Sequence, residues 1–273
     1  MKLGVGARAV SMGEAYTAVA DDASALYWNP AALTRVERRS ATFMHAAYLD
    51  SSFFDYGAYA HNLGDKGVFG ASFQYFSAGK IMETDATGTD VGDFTPHDLA
   101  LTWGYARSWR DFSFGLGAKF IRSTILDSAQ TGAVDLGALS PGYLGERLRV
   151  GLAVSNLGGQ IKFDQEKEDL PLLIKLGGSY RLIERWIASL DLGLPRDNDP
   201  FVAVGSEYLL PIRDELALAG RVGFNSRTIG DVDGFTGVSF GVGLALSKLS
   251  VDYGFLPFGS IGQAHRVSLS YRF

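Results

Sequence analysis

The chain has no cysteine. That excludes disulfides, thiolate metal sites and cysteine nucleophiles at once. It has only 8 prolines, and no run of 18 or more apolar residues, so no transmembrane helix is encoded. Excess positive charge is missing too: the net charge is −5 and the isoelectric point near 5.4. A nucleic-acid partner is therefore not expected, because phosphate backbones are bound by basic surfaces. The opening Met1-Lys2-Leu3-Gly4 lacks the apolar core of a signal peptide, so an exported protein of this sequence is expected to have had its leader removed or its start truncated.

What the chain does have is glycine, 34 of 273 residues, with 12% aromatic and 47% hydrophobic content. Each glycine inside a helix costs about 1 kcal/mol against alanine, so this composition suits sheets. From about residue 38 large apolar side chains alternate with small or polar ones. Val267, Leu269, Tyr271 and Phe273 fall on one side of the last segment, and Arg266, Ser268, Ser270 and Arg272 on the other. Val238, Phe240, Val242, Leu244 and Leu246 likewise oppose Ser239, Gly241, Gly243, Ala245 and Ser247. A period of two sends the two sets to opposite faces of a strand.

About fourteen such segments follow one another: 38–49, 53–62, 67–76, 98–108, 112–123, 130–139, 148–156, 172–182, 186–194, 201–209, 215–224, 236–247, 249–256 and 265–273. Connections of two or three residues, such as Trp109-Arg110-Asp111 and Ile183-Glu184-Arg185, alternate with longer ones such as 77–97, 157–171 and 225–235. The 140–147 connection is long for its place in that pattern and 50–52 short. Strands near ten residues, bulky on one face and small or polar on the other, with alternating short and long connections, fit a transmembrane barrel better than a soluble sandwich. The expected fold is all-β: an antiparallel barrel of about 14 strands over residues 38–273. Trp103, Tyr105, Trp109, Tyr180, Trp186, Tyr208, Tyr271 and Phe273 are read as lying near segment ends, as interface aromatics do.

The alternation also directs Lys119, Asp135, Arg149, Lys175, Arg181, Asp191, Glu207, Arg221, Asp252 and Arg266 into the lumen. Facing lipid, basic residues near the midplane would cost about 2–4 kcal/mol each. Inside, they are expected to serve as structural ion pairs rather than as a selectivity site.

Residues 1–37 do not alternate. Ala7 to Ala20 reads as a short helix, Asp21-Asp22 as its end or the start of the next turn, and Asn29-Pro30 as a helix start with Asn as cap and Pro in the first position. Such a compact small-residue piece is expected to fill the lumen as a plug.

No catalytic, cofactor or metal site emerges. Gly4-x-Gly6-x-x-Ala9 formally matches a dinucleotide fingerprint but lacks the strand that must precede it. His45, His61, His97 and His265 have no metal-ligand spacing, and no Gly-x-Ser-x-Gly occurs. Glu83, Asp85, Asp90, Asp93 and Asp98 offer oxygen ligands for a divalent cation; a solvated outer loop is the preferred reading. An enzyme is not expected.

The run Gly4-Val5-Gly6-Ala7-Arg8-Ala9, then Met12-Gly13-Glu14-Ala15-Tyr16-Thr17-Ala18-Val19-Ala20-Asp21-Asp22, then Ala25-Leu26-Tyr27-Trp28-Asn29-Pro30-Ala31-Ala32-Leu33, resembles the opening of the PorV/PorQ family. That family is related to the FadL-type fatty-acid transport barrels, which share the Asn-Pro-Ala element. The resemblance implies a bacterial outer-membrane barrel of fourteen strands in membrane lipid, with an amino-terminal plug whose motif falls here on Gly4, Gly6, Arg8, Met12, Gly13, Asp21, Asp22, Tyr27, Trp28, Asn29 and Pro30. It implies a last strand ending in an aromatic residue that the barrel-assembly machinery reads, matched by Tyr271 and Phe273. It also implies either passage of a hydrophobic small molecule such as a fatty acid, or an accessory role beside the exported proteins of a type IX secretion system.

Overall fold

The structure is a computed structural model that describes residues 2–48, 51–163, 166–229 and 236–273. Eighteen strands lie among them: β1 (Arg39–Ala47), β2 (Phe53–Asn62), β3 (Val68–Ser77), β4 (Ile81–Thr84), β5 (Asp90–Phe94), β6 (His97–Trp109), β7 (Phe112–Thr124), β8 (Ser128–Leu139), β9 (Leu148–Leu157), β10 (Gln160–Phe163), β11 (Glu166–Asp169), β12 (Leu173–Ile183), β13 (Trp186–Pro195), β14 (Phe201–Arg213), β15 (Leu216–Asn225), β16 (Val238–Leu246), β17 (Leu249–Pro257) and β18 (Gln263–Arg272). Fourteen form one closed barrel in the order β1-β18-β17-β16-β15-β14-β13-β12-β9-β8-β7-β6-β3-β2, every neighbour antiparallel. These fourteen coincide with the fourteen alternating segments. Closure leaves no free edge along the wall, which a bilayer requires.

The alternation decides what each face meets. Outward side chains are large and bare: Leu190 is 56% exposed and Val242 61%. In water an apolar band of that extent would drive association; in hydrocarbon it is solvated. Inward side chains are mostly Gly, Ala, Ser and the charged residues, with Met44, Phe54, Tyr56, Ile121 and Phe201 among the larger ones. An aromatic belt follows the short-turn end, where Trp109, Phe112, Tyr180, Trp186, Tyr208, Tyr271 and Phe273 are all exposed. Trp103 departs from its expected place: it lies midway along β6, opposite Ala71 and Ala118, whose small side chains leave room for an indole on the outer face.

Short turns, at 63–67, 110–111, 184–185, 214–215 and 247–248, share one end with the longer 140–147. The opposite end carries the long loops. Two of these contain strand pairs of their own that alternation did not reveal: β4 with β5 in 78–96, and β10 with β11 in 158–172. Their faces are both wet or only partly covered, so no buried set marks a period. Leu170, just after β11, folds back against the inward-facing Ala100, Ile121 and Ala133. Gly230 to Phe235, part of the long 225–235 connection, lie outside the described residues.

Register shifts interrupt the wall at Arg181/Ile183 and Pro211/Arg213, beside short turns, and at a third place within β8. Between β8 and β9 the register slips from Val134↔Leu157 to Leu136↔Val154. Asn156 takes φ 62°, and its N–H donates to the Asp135 carboxylate at 2.7 Å rather than to a strand carbonyl.

Residues 3–36 run inside the barrel. Ala7–Ser11 form helix α1, Ala25–Trp28 helix α2, and Pro30–Arg35 a 3-10 helix. The expected helix over Ala7 to Ala20 is therefore wrong beyond Ser11. Gly13 and Glu14 have φ of 65° and 66°, which a right-handed helix does not allow. Two further turns, not a helix, lead on to Asp22.

Candidate functional site

Several glycines of the wall are explained by what lies against them. A Cβ on Gly223 would come within 1.9 Å of Gly13 N, and one on Gly115 within 2.2 Å of the Pro30 carbonyl carbon. The inner segment therefore packs backbone to backbone on β7 and β15, at separations that any larger residue would forbid. Met12, Tyr16, Leu26 and Leu33 fill the remaining space and are fully buried.

Asn29 anchors the centre of this segment. Its Oδ1 accepts from Ala31 N at 3.1 Å, the expected cap, while Nδ2 donates to the Thr17 and Ala138 carbonyls at 3.0 and 3.1 Å. Pro30 occupies the first helical position, where its missing N–H is not needed. Trp28 Nε1 donates to Val5 O at 3.1 Å and Tyr27 Oη to Leu3 O at 2.9 Å, so the two aromatic residues hold the extended start of the chain. Gly4 O accepts from Arg266, and Gly6, at φ 80°, donates to Met44 Sδ. Gly13 donates to Ser239 Oγ and accepts from Asn225 Nδ2, at 3.1 and 2.9 Å. Asp22 Oδ1 accepts from both Ser24 N and Ser24 Oγ, at 2.8 and 2.5 Å, starting the turn into α2.

Most of the lumen-facing charges converge on the same segment. Arg8 donates twice to Glu207 and once to Asp21, each at 2.7 Å. Arg221 bridges Glu207 at 2.6 Å and Asp252 at 2.7 Å. This chain of five groups joins α1 to β14, β15 and β17. Asp191 Oδ2 accepts from the Tyr16 and Thr17 N–H groups, both at 3.1 Å, and from Thr17 Oγ1 at 2.6 Å. Lys175 lies 3.2 Å from Asp191, donates to Glu14 O at 2.7 Å and sits 4.8 Å from the Trp28 ring centre. Lys119 pairs with Asp135 at 2.8 Å and reaches Asn156, bracing the register slip. Arg266 binds Gly4 O and Tyr48 Oη and is 2% exposed. Such buried charges are stable only when paired and hydrogen-bonded. Burial alone would raise the Asp21 carboxyl, but the Arg8, Arg35 and Arg272 guanidiniums outweigh it and hold Asp21 well below the usual carboxylate range.

Arg149 and Arg181 are placed differently. Both face inward, but at the short-turn mouth; Arg149 pairs with Glu146 of its own turn and Arg181 is exposed. At the far end of the chain Tyr271 and Phe273 are outward, edge-on at 4.7 Å, with Phe273 N donating to Arg39 O where β18 meets β1. Thr17, Asn156, Ser239 and Ser268, whose Oγ accepts from Ala7 N at 2.7 Å, also take part in the site, though nothing in the sequence marks them. In a strand of small polar residues nothing separates a ligand of the inner segment from a filler.

At the long-loop mouth a cleft of about 60 Å³ lies beside the inner segment. Its apolar lining is Tyr27, Trp28, Leu172, Leu173 and Phe201; Lys2, Lys119, Lys175 and Arg227 supply cations. All four are already paired, Lys2 with Asp197 at 2.6 Å and Arg227 with Glu14 at 3.2 Å. The Asp85 carboxylate in the β4–β5 turn is pulled below its ordinary value by hydrogen bonds from Thr87 and Thr89. Among the described residues no group of three or more His, Asp or Glu is gathered for a metal ion, including the acidic loop.

The fold and its filled lumen define a closed antiparallel barrel that crosses a membrane with strands while carrying its amino-terminal segment inside. Comparison with known proteins gives the family. The family described as type IX secretion system protein PorV matches residues 1–189, and the chain belongs to it. A curated UPF0164 protein of Treponema pallidum (strain Nichols) is 26% identical over 224 residues, covering 73% of this chain and 52% of that protein. The chain thus spans about half the length of this curated relative. Among solved structures, a Pseudomonas aeruginosa FadL homologue aligns with a TM-score of 0.66 at 13% identity, covering 100% of this chain and 99% of that one. The toluene transporter TodX of P. putida aligns at 0.65 and 12% identity, covering 99% of each. The toluene transporter TbuX of Ralstonia pickettii gives 0.62 and 12%, covering 99% and 98%. At these identities the likeness is one of fold.

Proposed function

We propose that the protein passes a hydrophobic small molecule, of the fatty-acid kind, through a barrel that its amino-terminal segment plugs. The observation that carries this reading is the cleft beside Tyr27 and Trp28. It is apolar along its walls, ringed by Lys2, Lys119, Lys175 and Arg227, and open to the long-loop end. An apolar tail would lie on the aromatic rings, and a carboxylate head would compete with Asp197 or Glu14 for a cation already at the surface. At about 60 Å³ the cleft holds a few waters and no alkyl chain. Loading therefore requires movement of the plug or of the 158–172 loop. The matched transporters, named for toluene, support the reading as analogy of fold only.

A second reading follows from the family itself: an accessory barrel that binds exported proteins of a type IX secretion system. The family description favours it. Purification from native membranes, with mass spectrometry of lipids and partners, separates the two. Bound fatty acids without a protein partner would exclude secretion as the main role. A stoichiometric exported protein would exclude the transporter.

A further inference from the structure

Four arginines meet at the short-turn mouth without enough acid to balance them. Arg147, in the turn before β9, and Arg181, on β12, are cross-strand neighbours: the Arg181 N–H donates to Arg147 O at 2.8 Å. Two residues deeper Arg149 stands in register with Ser179. Arg35, at the end of the 3-10 helix, reaches the same small cleft, which Glu146 also lines. Glu146 is the one carboxylate of that lining, and Arg149 takes it. Glu184 lines the neighbouring cleft beside Arg181 but forms no ion pair with it among the described residues. The Arg147 and Arg181 guanidiniums are left with no hydrogen-bond or ion-pair partner among the described residues.

Like charges directly opposite on neighbouring strands are destabilising, and here the pair stands exposed at the mouth of the lumen, above the half-buried Arg149 and the plug's Arg35. Burial lowers the Arg35 pKa; the Asp21 carboxylate opposes that, and Arg149 and Arg8 add to it. Elsewhere in this lumen every buried cation has an acid or carbonyl against it. Local rules broken at one place in an otherwise consistent fold mark a site.

We infer that a phosphate-type oxyanion binds at the mouth of this cleft, whose interior of about 20 Å³ has room for little more than one water, and joins Arg147 and Arg181 of the wall to Arg35 of the plug. Guanidinium forks match phosphate oxygens two at a time. Arg35 already holds the Ala18, Val19 and Ala20 carbonyls through Nη1, at 3.3, 2.7 and 3.0 Å, leaving its other N–H groups for the anion. The bound oxyanion would act as a latch, tying the turn at 18–20 to β9 and β12. Short turns of bacterial barrels face the periplasm, so the phosphate is either that of an anionic phospholipid headgroup in the adjoining leaflet or a free ion.

The test uses the whole protein in zwitterionic detergent, with inorganic phosphate titrated against sodium chloride at equal ionic strength, and in nanodiscs of phosphatidylcholine with or without phosphatidylglycerol. Thermal unfolding and the rate of tryptic cleavage within residues 8–35 are measured together. The expected result is a saturable rise in unfolding temperature and slower cleavage. Both are lost in the Arg147→Gln/Arg181→Gln double variant and kept in Arg110→Gln, which removes a charge from another short turn. A response to inorganic phosphate identifies a free ion as sufficient; a response to phosphatidylglycerol alone identifies the headgroup. No response to either, or an equal response in the double variant, overturns the site. Should the double variant not fold, the single Arg147→Gln change on an exposed turn reads the same loss.

Discussion

The two sides of the lumen hold the amino-terminal segment by different physics. Along β6, β7 and β8 the contact is one of shape: Pro30 and Ala31 lie on Gly115 and Gly137 with no room for a Cβ, and Leu26 packs on Gly104. Along β13, β14, β15 and β17 charge is added to glycine seats at Gly205 and Gly223: Arg8, Glu207, Arg221, Asp252 and Asp191 join the segment to the wall through bonds of 2.6 to 3.1 Å. A glycine seat tolerates nothing larger yet presents no charge that must be neutralised. A buried ion network is indifferent to a methyl group nearby but fails when one member is removed. A segment that must be held in place, and moved if a ligand is to pass, is better released from the charged side, where water and a competing ion restore what is lost.

The largest expected effect therefore falls on the charged side. Glu207→Ala leaves Arg8 and Arg221 facing each other in a buried space, and the loss is about 3–5 kcal/mol. It is read as a lower unfolding temperature in detergent with easier tryptic cleavage at Arg8; unchanged cleavage would mean that the network does not hold the segment. On the other side Gly115→Val drives a branched side chain into the Pro30–Ala31 backbone, at about 1–3 kcal/mol or more. Its signature differs: the barrel stays folded and heat-modifiable, while single-channel conductance in planar bilayers rises as the segment lifts from its seat. If both variants conduct alike, the distinction between the two sides has no mechanical meaning. Asn29→Ala, between the two, removes the cap and both bonds of Nδ2. The cap alone accounts for about 1 kcal/mol, visible in denaturant unfolding. Smallest is the pH effect of Asp21. Because its folded pKa is depressed, its contribution is complete above its unfolded value of about 3.9 and is lost as pH falls from there towards the folded value. Trp28 fluorescence followed below pH 4 should report loosening in the wild type and no such transition in Asp21→Asn.

Legibility in the sequence followed the range of the physics involved. The fourteen wall strands could be read because the facing of a side chain depends only on its parity along one strand, and lipid outside against a packed lumen inside makes the parity visible. The same parity rule points Glu207 and Arg221 inward, and both lie buried. The Asn29-Pro30 cap is local chemistry and was equally legible. Helix length was not. Ala7 to Ala20 has helical composition throughout, yet Gly13 and Glu14 turn left-handed so that Gly13 can lie against Phe224 and Val204 of the wall. The β4–β5 and β10–β11 pairs were hidden because neither has a fully buried face to impose a period.

By itself the sequence determined a barrel wall and its strand number. Only the tertiary structure decided which inward charge meets which, that Lys2 pairs with Asp197 at the long-loop end, and that Arg147 and Arg181 stand opposed without an acid between them. The reason is physical. Parity, capping and composition act over a few residues, whereas a contact such as Arg8 with Glu207 joins positions 199 apart, and it exists because closing the barrel brings β14 round to the segment that entered first.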